Sequence, residues 1–262
     1  MQKYSLAILA GAGLAVASVS IILNTRPAVA QTKTDRVADF TVRIEDVSNG
    51  HTLHTSRGDK VVGLSPGFWV LHTGNNPIYS VGARASTGLQ RLAEDGNPEG
   101  LYSDLQENPA VKATGAFNVT TTPYPAAGFI GPKQAYEFIV SNASPGDRLS
   151  FATMFIDSND WFYSNNGTGI DLFSADGTPF SGDVTARVGL FDGGTEANEE
   201  PGVGPNQAPR QPRPRTGQAT DEAVYAIVAP AVGASVKGNG DHTWGAPPVA
   251  DVIKVTITPR AR

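Results

Sequence analysis

Apolar and polar side chains alternate along several stretches of the chain, the pattern of strands that have one buried face. The clearest stretches are residues 40–44, 136–140, 184–190 and 253–257, and shorter apolar runs occupy residues 68–72 and 223–228. Helical periodicity is confined to Thr87–Asp95, which Gly96 closes, and to a short stretch at 99–105. The pattern predicts an all-β protein, a sandwich or a barrel, with one or two short helices.

Turn residues between these stretches predict how they connect. Pro145-Gly-Asp separates the strand at 136–140 from a strand at 149–155, and two strands joined by a tight turn predict a hairpin. Ser65-Pro-Gly precedes the apolar run at 68–72 and predicts a second turn. Residues 197–219 hold five prolines and no apolar periodicity. We expect a long loop packed along the surface there, with a domain linker as the alternative.

The first thirty residues have the composition of a secretory signal peptide. Lys3 precedes an apolar run at 6–23, and Ala28-Val-Ala30 supplies the small-x-small site that predicts cleavage after Ala30. The run of about 18 residues is also long enough to span a bilayer, so a retained anchor is the alternative. We expect one β domain over residues 36–262, secreted or held in the periplasm or cell envelope, whose mature form does not span a membrane.

Charge and cysteine content narrow the class of protein. Without residues 1–30 the chain carries 18 basic and 25 acidic residues, a net charge of −7, which argues against binding to nucleic acid. The chain contains no cysteine, whereas exported eukaryotic domains usually carry disulfides. We therefore expect a bacterial protein, and the missing cysteine excludes a lipobox anchor.

The candidate catalytic residues do not form a coherent set. Gly63-Leu-Ser-Pro-Gly67 matches the G-x-S-x-G pattern of hydrolases, but the residue after the serine is Pro66, which has no N–H for an oxyanion hole. His51 and His54 have the spacing of some zinc ligands, without a third ligand nearby, and His72 lies at the end of a predicted strand. A Ser-His-Asp triad built from distant residues stays open. We expect no enzymatic activity.

Two acidic segments each follow a predicted strand. Asp157 and Asp160 come after the strand at 149–156, and Asp192 and Glu196 come after the strand at 184–191. Such loops can meet at one end of a sandwich. Their carboxylates are hard oxygen ligands that suit calcium, and the Gly-Gly pair after Asp192 would let the backbone curl around an ion. Paired carboxylates could equally serve a glycosidase, and the spacing alone does not separate these readings.

Several segments resemble the spondin N-terminal domain family. Residues 145–162 resemble the S-x-D-W-F segment of that family, and residues 190–196 resemble its D-A-G-T-D segment. Stretches similar to bacterial stand-alone members lie at 64–72, 92–98, 181–185 and 205–211. The resemblance runs in order from about Phe40 to about Pro259.

The resemblance implies an antiparallel C2-like β-sandwich with long Pro/Gly-rich loops and a Ca²⁺ site. Carried over residue by residue, the side-chain ligands are Asp160, Asp192 and Glu196, the last replacing an aspartate of the family. We expect a calcium-binding adhesion or interaction module of the envelope or extracellular space, whose partner is an unidentified protein or glycan. A secreted hydrolase with paired carboxylates and a purely structural envelope protein are the alternatives.

Overall fold

The computed structural model describes residues 36–122, 126–227, 236–237 and 243–261, and the predicted signal peptide lies outside them. Two α-helices occur in this part of the chain, α1 (Thr87–Asp95) and α2 (Gly100–Leu105), with 3-10 turns at Thr185–Arg187 and Val249–Asp251. The strands are β1 (Ala38–Asp46), β2 (Leu64–His72), β3 (Val111–Phe117), β4 (Val119–Thr122), β5 (Ala126–Ala127), β6 (Ala135–Ala143), β7 (Arg148–Phe155), β8 (Trp161–Asn165), β9 (Ile170–Asp171), β10 (Gly182–Asp183), β11 (Val188–Asp192), β12 (Tyr225–Ile227), β13 (Val236–Lys237), β14 (Thr243–Trp244) and β15 (Ile253–Pro259).

The strands form two antiparallel sheets that pack face to face. The six-stranded sheet has the order β10-β15-β1-β6-β4-β5. The seven-stranded sheet has the order β12-β11-β8-β7-β2-β3, and β9 pairs with β7 beside this path. Within the described residues, strands β13 and β14 pair with each other and form a separate two-stranded sheet. The predicted antiparallel β-sandwich with two short helices is therefore confirmed.

Alternation along the strands builds the core between the sheets. Strand β1 buries every second residue, and its inward side chains Phe40, Val42 and Ile44 pack with Phe151 and Trp161 of the opposite sheet. By contrast, β7 and β8 are buried on both faces. Their outer face packs under the two helices in a second apolar cluster, which includes residues Phe68, Ala152, Phe162, Leu89, Leu92 and Leu101. The seven-stranded sheet is thus the middle layer of the molecule.

The first helix ends where the sequence predicts, for identifiable reasons. The Ser86 hydroxyl accepts the backbone N–H of Leu89 and caps the first turn. Gly96 has φ of 67° and closes the helix in the left-handed conformation, with its N–H bonded to the carbonyl of Leu92. Together these caps fix α1 against β7 and β8. None of the helices in the described residues is long and apolar enough to cross a membrane.

Three local predictions were wrong. The strands around Pro145-Gly-Asp do not form a hairpin, because β6 pairs with β1 and β4 in one sheet whereas β7 belongs to the other. Ser65-Pro-Gly is not a turn but lies inside β2 at a shift of register between Leu64 and Gly67, where a proline is tolerated. The strand expected from Val184 begins at Val188, because the intervening residues form a 3-10 turn.

Candidate metal centre

The pairing of β8 with β11 brings the two acidic segments together. Asp192, the last residue of β11, lies opposite Trp161, the first residue of β8. Because the strands are antiparallel, Asp160 and Gly193 extend this pair by one step, and the N–H of Gly193 bonds to the Asp160 carbonyl at 2.9 Å. Gly194 follows with φ of 70°, and its N–H donates to Asp192 Oδ1 at 2.7 Å. The segments therefore meet at one end of the seven-stranded sheet.

Asp160 is fully buried, and its two carboxylate oxygens differ in their surroundings. Oδ2 accepts three hydrogen bonds, from the backbone N–H of Thr195 at 2.7 Å, from its hydroxyl at 3.1 Å, and from the N–H of Glu196 at 3.0 Å. Oδ1 is buried and has no hydrogen-bond partner among the residues that the structure describes. Burial, and then the nearby charge of Asp192, raise the pKa of Asp160 well above its usual range.

Asp192 is also buried but is held by more donors. Its Oδ2 accepts from Trp161 Nε1 at 3.0 Å, from Asn198 Nδ2 at 2.6 Å and from the Tyr225 hydroxyl at 2.7 Å. Burial raises the pKa of Asp192, and the hydrogen bonds to its oxygens act in the opposite direction. Oδ1 carries only the Gly194 N–H. In both aspartates the donors crowd onto Oδ2 and leave Oδ1 the freer oxygen.

Glu196 and Glu94 bring two more carboxyl groups to this end of the sheet. Glu196 Oε1 accepts the N–H of Gly217 at 3.1 Å, and burial with the nearby charge of Glu94 raises the pKa of Glu196 to about 7. Glu94, on α1, is 2% exposed; Gln90 donates to its Oε1 at 2.8 Å, and its Oε2 has no hydrogen-bond partner. Burial also raises the pKa of Glu94.

Sequence reasoning assigned no role to Glu94 or to the donors Asn198 and Tyr225. Glu94 lies directly after the buried Ala93 on the helix, and this position was the one signal that could have drawn attention to it.

Asn198 belongs to the proline-rich loop at residues 197–219, whose two ends are held together at the acidic residues. There Glu196 forms an isolated bridge with Ala219, and the N–H of Ala197 bonds to the carbonyl of Gln218 at 2.7 Å.

We use the term acidic cluster for Asp160, Asp192, Glu196 and Glu94. In the part of the chain that the structure describes, no three His, Cys, Asp or Glu side chains are arranged to hold a metal ion. The donor chemistry nevertheless fits a hard cation, because every member offers carboxylate oxygen and two buried oxygens have no partner. Ionised carboxylates packed together at this depth also repel one another unless a proton or a cation lies between them.

The other sequence candidates have different surroundings. Asp157 points away to Arg210, whose Nη1 lies 3.4 Å from its Oδ1. His51 and His54 are exposed and both contact the carboxylate of Asp59, at 3.0 and 2.7 Å between Nδ1 and oxygen. A carboxylate that the sequence analysis did not consider therefore lies between the two histidines.

His72 does contact a serine. Its Nε2 lies 2.8 Å from Ser150 Oγ, and Asn165 Nδ2 donates to the same oxygen at 3.0 Å. All three side chains are fully buried, so no substrate can reach this serine. Ser65 is likewise buried, and its hydroxyl accepts the N–H of Met154 at 2.9 Å. Neither serine is placed as a nucleophile.

The comparison with protein families decides the assignment. The family model Spondin_N matches residues 61–222, which is more than half of the chain. This chain belongs to the spondin N-terminal domain family. Spondin N-terminal domains are non-catalytic interaction modules and are typically extracellular. A search of curated proteins finds no match. The family predicted from the two acidic segments is confirmed, and both segments lie inside the matched residues.

The spondin match does not reach the ends of the sandwich. Strands β1 and β15 pair with each other inside the six-stranded sheet but lie outside residues 61–222. The domain bounds of 36–262 therefore stay a prediction.

Proposed function

We propose that this chain is an exported interaction module whose acidic cluster binds one calcium ion. Asp160, Asp192 and Glu196 would supply the side-chain ligands, with backbone carbonyls and water completing the six to eight oxygens that calcium prefers. The cell envelope or the extracellular space is the proposed location, in keeping with the family and with the apolar leader. Its partner there is an extracellular or envelope protein or glycan.

The observation that carries the proposal is the asymmetry of Asp160. Three donors hold Oδ2 in place and fix the carboxylate plane, while the buried Oδ1 has no partner. An unsatisfied buried carboxylate oxygen costs roughly 1–3 kcal/mol or more, and a bound cation would remove that cost. Protein donors that orient a carboxylate through one oxygen while freeing the other are the usual surroundings of a metal ligand.

Hydrogen bonds connect the acidic cluster to the proline-rich loop at residues 197–219, so calcium binding would affect that loop. Thr195 and Glu196 donate to Asp160, Asn198 donates to Asp192, and Gly217 donates to Glu196. These residues form both ends of the proline-rich loop. A cation that keeps the carboxylates ionised would strengthen each of these hydrogen bonds, because charged acceptors bind N–H groups more strongly than neutral ones. We propose that calcium thereby orders the loop.

The test is thermal unfolding of the mature protein with calcium or with chelator. At calcium a hundredfold above Kd the folded state gains about 2.7 kcal/mol, which corresponds to a rise in Tm of about 5–10 °C for a chain of this size. Asp192→Asn should lose most of this rise. The control is Asp171→Asn, because Asp171 is a surface acid paired with Arg148 and lies outside the cluster.

Two results together would remove the metal site and leave the fold assignment intact. They are a Tm that changes with neither calcium nor chelator, and an Asp192→Asn variant whose stability equals or exceeds that of the parent because repulsion has been relieved.

Export of the protein has a separate test. The N-terminal sequence of the secreted protein should begin at Gln31, and a protein that starts at Met1 and stays in the membrane would support the anchor instead.

A further inference from the structure

A cleft of about 420 Å³ opens between the start of β2, the end of β7 and the residue that follows α1. Its walls are mainly apolar, with side chains that include Val61, Pro66, Phe129, Met154, Ile156 and Pro209. A volume of this size and lining suits one or two apolar side chains of a ligand. Pro66 and Pro209 have fixed φ angles and stiffen two of the walls.

Two of the lining residues expose apolar surface that the described residues leave uncovered. Phe129 is 69% exposed and Val61 is 45% exposed, and Phe129 is the most exposed large apolar residue in the described part of the chain. A single exposed apolar residue needs no explanation, whereas these two lie together on the rim of an apolar cleft, where a partner side chain would cover both.

The same cleft has two carboxylates on one side, Asp95 and Asp157. Asp157 already has a guanidinium partner, Arg210, whose Nη1 lies 3.4 Å from its Oδ1, so Asp95 is the carboxylate left for a partner. Asp95 uses Oδ1 for Gln211 Nε2 at 3.1 Å and for the Arg215 N–H at 3.2 Å, and it forms no ion pair within the described residues. Its second oxygen is therefore available to a cation brought by a partner.

We propose that the cleft docks a partner polypeptide that presents an apolar side chain next to an arginine or lysine. The apolar side chain would fill the cleft against Phe129 and Met154, and the cation would approach Asp95. Charge complementarity favours such a partner, since the mature chain has a predicted net charge of −7. The inference deepens the proposed interaction function and rests on it, but it does not depend on calcium.

The two parts of the contact should differ in strength. Burial of the apolar side chain is the larger part, because the partner atoms leave water. The cation is the smaller part, because Arg91 and Arg215 line a separate depression that also contains Asp95 and weaken its attraction for a partner cation. We therefore expect the largest loss from the aromatic residue on the rim.

The experiment titrates the mature protein with the peptide acetyl-Gly-Leu-Arg-Leu-Gly-amide by calorimetry and maps the site with amide NMR shifts. Phe129→Ala should weaken Kd roughly tenfold, and Asp95→Asn roughly threefold. The matched controls are Ile139→Ala, a residue 47% exposed on β6, and Asp221→Asn, a surface acid paired with Arg84. A peptide with glutamate in place of arginine should bind more weakly than the parent.

The outcomes separate this inference from the calcium proposal. Binding that Phe129→Ala weakens, both in calcium and in chelator, supports the docking cleft even where the melting temperature ignores calcium. Shifts away from residues 61–66 and 129–131, equal losses in Ile139→Ala and Phe129→Ala, or no heat of binding at all would overturn it. A normal calcium response together with any of these three results would leave the metal proposal standing alone.

Discussion

The seven-stranded sheet contains two buried polar clusters that differ in one respect. His72, Ser150 and Asn165 lie in the middle strands, and every buried side-chain polar atom among them has a hydrogen-bond partner. The acidic cluster lies at the end of the same sheet and contains buried oxygens without a partner on Asp160 and Glu94. The hydrogen bonds of the first, the closed cluster, are complete, whereas the second brings four acidic side chains together, and the positive charge of Arg215 acts on one of them, Glu94.

The difference shows which buried polar groups satisfy one another and which leave an unfavourable charge uncompensated. Burial lowers the pKa of His72, so its ring is neutral, and a neutral ring that accepts the Ser150 hydroxyl can donate from Nδ1 toward the Thr73 carbonyl. Such a network needs nothing further. Burial raises the pKa of all four carboxyl groups in the acidic cluster, so the folded chain must supply protons or receive a cation.

The largest effect on stability should come from breaking the closed cluster. His72→Ala removes a fully buried ring and leaves Ser150 without its acceptor, so we expect a loss of about 3 kcal/mol in the free energy of unfolding. The measurement is urea denaturation in calcium and in chelator. The calcium-induced rise in stability should remain that of the parent protein, and its disappearance in this variant would show that the two clusters are not independent.

Removal of a supporting donor should instead weaken calcium binding. Tyr225→Phe deletes the hydroxyl that donates to Asp192 Oδ2 at 2.7 Å, while Oδ1 is unchanged. Loss of such a donor typically reduces metal affinity by about 10–100-fold. Calorimetric titration with calcium measures this Kd. Tyr102→Phe is the control, because its hydroxyl accepts the N–H of Ala116 on β3.

An unchanged calcium Kd in Tyr225→Phe, together with a large loss of stability in chelator, would contradict this role. The tyrosine would then belong with the closed cluster, as a residue that stabilises the fold rather than the ion.

The strands and helices that the sequence predicted correctly have signals that act over a few residues. For α1, the apolar residues Leu89 and Leu92, the cap at Ser86 and the stop at Gly96 all agree, so both ends were predictable. The hairpin failed because alternation along β6 and β7 reports one buried face but not which sheet a strand joins. A tight turn can also lead from one layer of a sandwich to the other, although consecutive strands more often lie side by side.

The acidic cluster was predictable only in part, for a related reason. Asp160 and Asp192 adjoin the ends of paired strands, so the ends of the strands indicate that these residues can meet. Glu94 reaches the same place from a helix on the other side of the sheet, and no local pattern gives the depth at which a helical side chain lies. Partner donors such as Tyr225 depend on long-range pairing of β12 with β11.

The pH dependence of stability should distinguish the clusters when calcium is removed. The pKa of Glu196 is raised from 4.5 to about 7, so its protonated form stabilises the fold. This contribution is fully present below pH 4.5 and is lost as the pH rises through about 7. In chelator we expect the Tm to fall across this window. Calcium should flatten the fall, because the ion favours the ionised carboxylate. A Tm that is equally flat in chelator and in calcium would argue against the raised pKa.

The smallest expected effect tests whether an unsatisfied buried oxygen is enough to make a metal site. Asp46 is 1% exposed, and among the described residues its Oδ2 has no hydrogen-bond partner. The buried Tyr163 hydroxyl has none either, and burial, then the charge of Asp46, raise its pKa. Burial raises the pKa of Asp46 from 3.8 to about 6, but no second carboxylate is among the causes of that rise. Asp46 therefore has the unpaired oxygen of the acidic cluster without its repulsion.

We expect Asp46→Asn to increase stability by about 1 kcal/mol at pH 7.5, because a buried charge is removed and the amide keeps an acceptor for the Ser48 N–H. At pH 4 the aspartate is protonated in the folded state, so the gain should vanish. Urea denaturation at the two pH values measures the difference, and the calcium response should match the parent. If Asp46→Asn abolished the calcium response, the ion would bind at a buried oxygen that has no partner and no neighbouring carboxylate. Repulsion between carboxylates would then not explain where calcium binds.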